Sequence, residues 1–109
     1  MINEINKENL LKKLKSNQNN IVIAKTNWCG ECIMIAPIFE RVAKNEEFKN
    51  FEFYKIDVDD FQLWKDDNDD FFQINEVPTI ILFEYDKEIR RITNFLSEEK
   101  LVAFIKETD

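Results

Sequence analysis

A short run of apolar residues at positions 21–24, followed at once by a helical pattern, constrains the fold of this chain more than any other feature. The run Ile-Val-Ile-Ala lies between polar segments, which is typical of a strand buried on both faces. Behind it, positions 35, 38, 39, 42 and 43 are apolar at the spacing of one helix face, and Pro37 lies inside this pattern. A strand buried on both faces needs a layer on each side, so this pair predicts an α/β domain.

The rest of the chain supplies the other layers. A helix is predicted over residues 7–16 with Asn6 as its cap, and strands are predicted over residues 51–58, 79–85 and 88–92. The last two strands are expected to form a hairpin joined at Asp86-Lys87, and a final helix starts at Ser97. Residues 59–72 are acidic and aromatic and are predicted to be partly helical, with five side chains turned inward: Phe61, Leu63, Trp64, Phe71 and Phe72. Residues 1–109 therefore predict one domain whose mixed sheet is covered on both faces.

Charge and composition exclude several functions. The chain has 15 basic and 22 acidic residues, so its net charge of −7 repels phosphate and predicts no nucleic-acid partner and no membrane partner. There is no apolar run of the ~18 residues that a membrane span requires, and the first residues do not resemble a signal peptide. We therefore expect a cytoplasmic monomer. Histidine is absent, which excludes histidine-based catalysis and histidine metal sites.

Cys29 and Cys32 lie at the start of the helix that follows the buried strand. Free N–H groups at a helix start stabilise a thiolate, so Cys29 is predicted to be the accessible nucleophile. Cys32 lies one turn further along and is predicted to be the shielded resolving thiol, with the Cys29–Cys32 disulfide as the redox centre and no cofactor. A disulfide over so short a loop adds little stability. Zinc needs four ligands and the chain offers two cysteines, which leaves open only a site shared between two copies.

Three segments together resemble the thioredoxin family. Residues 28–37, WCGECIMIAP, are similar to its W-C-G-P-C-K-x-x-x-P segment, residues 76–79, EVPT, to its x-P-T step, and residues 55–59, KIDVD, to the end of its central strand. The order and spacing agree over residues 20–107, although no first strand is recognisable before Lys7. The resemblance implies a thioredoxin fold, with a central mixed sheet of four to five strands, helices on both faces, and a cis proline at Pro78 beside Cys29.

The resemblance also implies an activity and a docking surface. The chain is expected to reduce protein disulfides by dithiol–disulfide exchange, and a separate disulfide reductase is expected to restore the dithiol. The residues implied to contact the substrate are Trp28, Gly30, Glu31, Val77, Pro78, Thr93 and Asn94.

Several residues depart from the family pattern. Ile23 stands in place of a buried acid that is thought to help remove the proton of the second thiol, and Lys25 stands in place of an aromatic residue. Glu31 replaces the middle proline, and its carboxylate disfavours a second negative charge on Cys29. Lys55 matches a lysine that some family members pair with that buried acid, and here it either acts alone or is a solvated strand residue. Lys55 and Glu31 are therefore the candidate modulators of thiol ionisation, and the redox potential is left open.

Two other interpretations are considered. One is an exchanger that serves a single client protein, of the glutaredoxin or isomerase type, although Trp28 and the Gly-Glu interior argue against a glutaredoxin. The other is a binding module that uses the fold as a scaffold. A measured redox potential tests the first, and trapping of mixed disulfides by Cys32→Ser tests the second.

Overall fold

Helices and strands alternate along most of the chain. In the computed structural model, which describes residues 2–93 and 97–107, the elements are α1 (Lys7–Ser16), β1 (Asn19–Lys25), α2 (Gly30–Ala43), β2 (Glu52–Asp57), β3 (Thr79–Glu84), β4 (Lys87–Ile92) and α3 (Glu98–Lys106). The side chains of Asn6 and Ser97 accept backbone N–H groups at the starts of α1 and α3, which confirms both predicted caps. None of the helices within these two ranges is long and apolar enough to cross a membrane.

The four strands form one mixed sheet in the order β2-β1-β3-β4. β1 pairs in parallel with β2 and antiparallel with β3, and β3 pairs antiparallel with β4. In place of a fifth strand, Glu4 forms a single parallel bridge with Lys55 of β2. The predicted central mixed sheet of four to five strands therefore has four strands, with helices packed on both faces.

Alternating side chains of β1 and β3 build a core on each face of the sheet. Ile21 and Ile23 of β1 face the cluster that contains the apolar sides of α2 and α3. Val22 and Ala24 face the opposite cluster, which contains α1 and part of the segment before β3. The expectation of a strand buried on both faces is therefore confirmed, and β1 holds the chain that leads to the cysteines between two apolar layers.

The segment between β2 and β3 is less regular than predicted. Within residues 59–72 it contains one 3-10 turn, Lys65–Asp67. Positive φ angles at Gln62, Asn68 and Gln73 interrupt any longer helix. Of the five side chains expected to point inward, Leu63 and Phe72 are fully buried, and the other three pack partly against the same core: Phe61, Trp64 and Phe71.

The hairpin turn lies one residue earlier than predicted. Tyr85, which has a positive φ of 54°, and Asp86 form the turn, and β4 already begins at Lys87. The strand pattern could not locate this shift because Tyr85 is itself a residue typical of strands.

Candidate active site

Cys29 occupies the N-cap position of α2. Its Sγ accepts the backbone N–H of Cys32 at 3.1 Å and so satisfies one of the free donors at the helix start. The chain reaches this position directly from β1, which ends at Lys25. Both cysteines are free thiols, and a hydrogen bond links their side chains. The structure thus brings the two predicted cysteines together at the predicted end of the helix.

The two cysteines are similarly exposed, which corrects the expectation of one accessible and one shielded thiol. Cys29 is 6% and Cys32 5% exposed. The segment before β3, which was expected beside Cys29, lies close enough to cover the thiol. Their environments differ nonetheless. Burial, followed by the hydrogen bond with Cys29, raises the pKa of Cys32 to about 12, so Cys32 stays protonated at neutral pH.

The segment that lies against Cys29 ends in the predicted proline. The Val77–Pro78 peptide bond is cis, and the Cys29 thiol donates to the Val77 carbonyl with an Sγ–O distance of 3.7 Å. Val77 is half-buried and Pro78 is buried. The segment 76–78 and the start of α2 therefore meet at Cys29, although they are far apart in the sequence.

Trp28, directly before Cys29, is held by a contact that the sequence analysis missed. Its side chain is 67% exposed, yet its Nε1 donates to Asp59 Oδ2 at 2.6 Å. Trp64 Nε1 donates to the other oxygen of Asp59 at 2.7 Å, and the two indole rings stack at 6.4 Å between centroids. The hydrogen bonds from Trp64 and Trp28 lower the pKa of Asp59. No sequence pattern reveals that one carboxylate binds both tryptophans.

Lys25, the last residue of β1, is held by acidic and polar side chains. Its Nζ contacts Glu4, binds Asn27 Oδ1 at 2.9 Å and lies 3.4 Å from Asp57 Oδ2. Burial acts to lower the pKa of Lys25, but the hydrogen bond and charge of Glu4, with the charge of Asp57, raise it. Lys25 is therefore a charged residue with two acidic partners.

The remaining predicted residues lie at different distances from the cysteines. Gly30 and Glu31 are exposed in the first turn of α2. Lys55 lies opposite Ile23 in the β1–β2 pair and lines a cavity together with Cys32. Thr93 is half-buried and follows Ile92, whose Cα partner is Ile80 near the start of β3. Asn94 lies outside the described residues.

Comparisons with known proteins agree with this geometry. The family model described as thioredoxin matches residues 1–107. The thioredoxin of Mycoplasmoides gallisepticum is 32% identical over 101 residues, 93% of this chain and 95% of that protein. The thioredoxin of Mycoplasma genitalium is 30% identical over 103 residues, 94% of this chain and 95% of that protein.

Solved structures give the same fold. The oxidised mitochondrial thioredoxin 3 of Saccharomyces cerevisiae aligns with a TM-score of 0.78 at 22% identity, over 96% of this chain and 93% of that one. The oxidised thioredoxin of Plasmodium falciparum aligns with a TM-score of 0.80 at 20% identity, over 97% and 96%. The chain therefore belongs to the thioredoxin family of thiol–disulfide oxidoreductases, whose members work through their own active-site cysteines.

Proposed function

We propose that Cys29 is the nucleophile and Cys32 the resolving thiol of a reaction that reduces protein disulfides. Cys29, as its thiolate, attacks a disulfide of the client protein and forms a mixed disulfide, and Cys32 then displaces the client thiolate and closes the Cys29–Cys32 disulfide. The observation that carries this proposal is the placement of Cys29 at the N-cap of α2, with its sulfur on the Cys32 N–H and beside Val77.

The raised pKa of Cys32 supports this division of roles. A thiol with a pKa of about 12 supplies very little thiolate at neutral pH, so it is a poor first nucleophile. Once Cys29 carries the client, Cys32 lies one helical turn away and attacks within the same molecule. Its high effective concentration there compensates for its small thiolate fraction.

The client is proposed to dock around the exposed Trp28. The other residues that we assign to this surface are Gly30, Glu31, Val77, Pro78, Thr93 and Asn94. An extended client peptide beside the disulfide would lie across the Val77–Pro78 segment and pair with its main chain. We further propose that residues 1–109 act as one domain and one monomer in the cytoplasm, and that a separate disulfide reductase returns the pair to the dithiol.

A pair of matched variants tests the two roles. Cys29→Ser is expected to lose insulin-disulfide reduction down to the uncatalysed rate, whereas Cys32→Ser is expected to accumulate a mixed disulfide with insulin that dithiothreitol releases. The proposal fails if Cys29→Ser retains activity. It also fails if Cys32→Ser retains full turnover without a trapped intermediate.

A further inference from the structure

Large apolar side chains are exposed immediately before and after the two cysteines. Within residues 2–93 and 97–107 five large apolar side chains are exposed, and three of them lie between positions 28 and 34: Trp28 at 67%, Ile33 at 65% and Met34 at 63%. The Ile33 N–H donates to the Cys29 carbonyl at 3.1 Å, so Ile33 lies one helical turn beyond Cys29. Single exposed apolar residues are common, but a group of three around a reactive thiol indicates a contact surface.

The exposed face of α2 is apolar from its first residue onwards. Gly30, Ile33, Met34 and Pro37 are all exposed and lie three or four positions apart, which places them on one face of the helix. The thioredoxin segment that resembles residues 28–37 has a lysine where this chain has Ile33. This chain therefore extends the apolar surface from the cysteines along α2, where the family pattern has a charge.

The exposed charges around this surface are negative. Among residues 25–37 and 55–60, the charged side chains that are exposed are all acidic: Glu31, Asp59 and Asp60. Glu31 lies in the first turn of α2, and Asp59 accepts the Trp28 indole N–H at 2.6 Å. The hydrogen bonds from Trp64 and Trp28 lower the pKa of Asp59, so its carboxylate is charged at neutral pH.

The lysines in the same two ranges are less exposed than these carboxylates. Lys25 is paired with Glu4 and Asp57, and Lys55 is half-buried on the wall of the cavity that Cys32 also lines. The exposed charge beside the apolar surface therefore favours a partner that brings positive charge.

Trp28 supplies a second attraction for a cation. Its ring stacks on Trp64 with 6.4 Å between the centroids, and its Nε1 bond to Asp59 keeps a carboxylate next to the indole. An exposed indole face attracts the ammonium or guanidinium group of a basic side chain. Each Asp59 oxygen accepts one indole N–H, which leaves lone pairs on both oxygens for such a group.

We propose that Trp28, Ile33 and Met34 form an apolar docking patch, and that the client segment it binds carries a hydrophobic residue and a basic residue next to its disulfide. The hydrophobic residue packs on Ile33 and Met34, and the basic residue binds the Trp28 ring together with Asp59 and Glu31. The same carboxylates repel a client segment that is acidic. The inference rests on the proposed function, because it names the class of protein disulfide that Cys29 attacks most readily.

Three matched peptides with one internal disulfide test this selection. Beside the disulfide, the first has leucine and lysine, the second leucine and glutamate, and the third serine and lysine. The second-order rate constant with excess reduced protein is divided by that of the same peptide with dithiothreitol alone, which corrects for intrinsic reactivity. We expect the first peptide to exceed the second by about fivefold and the third by about threefold. The preference for lysine should shrink at about 1 M salt, which screens exposed charges.

Variants assign the two preferences to residues. Glu31→Gln should lower the preference for lysine over glutamate to about twofold, and since a preference is a ratio for one protein, any change in Cys29 reactivity cancels. Ile33→Ser should abolish the preference for leucine over serine, and Ile33→Lys should also reduce the preference for lysine. Ile89→Ser is the matched control, because Ile89 is 42% exposed but lies on β4 outside the patch. It should keep both preferences.

The inference is overturned if the wild type reduces the lysine and glutamate peptides at equal corrected rates, or if salt leaves the lysine preference unchanged. Unchanged preferences in Glu31→Gln and Ile33→Ser also overturn it, as does an equal change in Ile89→Ser. All of these positions are exposed, so the variants leave the core intact. Failure of the proposed function looks different: the wild type then reduces none of the three peptides faster than Cys29→Ser does.

Discussion

The strand–helix unit β1–α2 and the segment between β2 and β3 both contribute to the active site, but they are built differently. The β1–α2 unit is regular and held by backbone pairing and apolar packing. The segment 58–78 contains one 3-10 turn and is held by scattered backbone bonds, such as those that join Leu63 and Lys65 to Ile74, together with side-chain bonds, notably those of Asp69. The reactive thiols therefore lie on the regular unit, while the surface around them depends on individual hydrogen bonds of the irregular one.

Truncating the core under α2 is expected to have the largest effect on stability. Ile35→Ala removes a fully buried side chain and should lower the free energy of unfolding by about 3 kcal/mol. Ile33→Ala is the control, because Ile33 is exposed and its loss should change stability by less than about 0.5 kcal/mol. Urea unfolding measures both. If both variants lost the same free energy of unfolding, burial of Ile35 would not be what stabilises the β1–α2 unit.

Removing Asp69 tests the side-chain bonds of the irregular segment. Its carboxylate accepts the N–H groups of Phe72 and Gln73 at 2.7 and 2.8 Å and binds Lys7 of α1. Burial opposes the charged form, but Lys7 and the two N–H groups lower the pKa of Asp69. Asp69→Ala should therefore cost about 2 kcal/mol of unfolding free energy. Asp70→Ala, at the exposed neighbour, should be nearly neutral, and a similar loss there would contradict the assignment.

Asp59→Asn tests how the irregular segment holds the docking surface. The change weakens the bonds from the Trp28 and Trp64 indoles, so the Trp28 ring should become more mobile. We expect the KM for insulin reduction to rise about threefold with little change in kcat. Asp66→Asn removes a charge from the same segment and serves as the control. If both variants raise the KM equally, net charge and not the position of Trp28 controls docking.

The smallest effect at neutral pH concerns Cys32 on the regular unit. The unfolded thiol titrates near its ordinary pKa of 9.0 and the folded one near about 12. Between these values the folded protein binds more protons than the unfolded protein, so the stability of the reduced form should fall as the pH rises from 9 to 12. Cys32→Ser should show a shallower fall. Parallel stability curves for the two proteins would contradict the raised pKa.

The contrast between the two regions also explains what the sequence could predict. Periodicity located β1, α2 and the cysteine pair, since local hydrogen bonding and a single buried face determine these elements. It could not place Asp59 between Trp28 and Trp64, because that contact joins residues through long-range folding. The resemblance placed Pro78 beside Cys29, but the sequence could not show how far the segment 76–78 covers the thiol.

The position of β1 between β2 and β3, with apolar layers above and below, has a consequence for complex formation. Backbone amides in such a strand exchange with solvent only when the whole domain opens, which makes β1 among the most rigid parts of the molecule. The cysteine loop is attached directly to this strand. At the cysteines, the entropy lost on docking therefore falls mainly on the partner, which must order a flexible segment against thiols that β1 already holds in place.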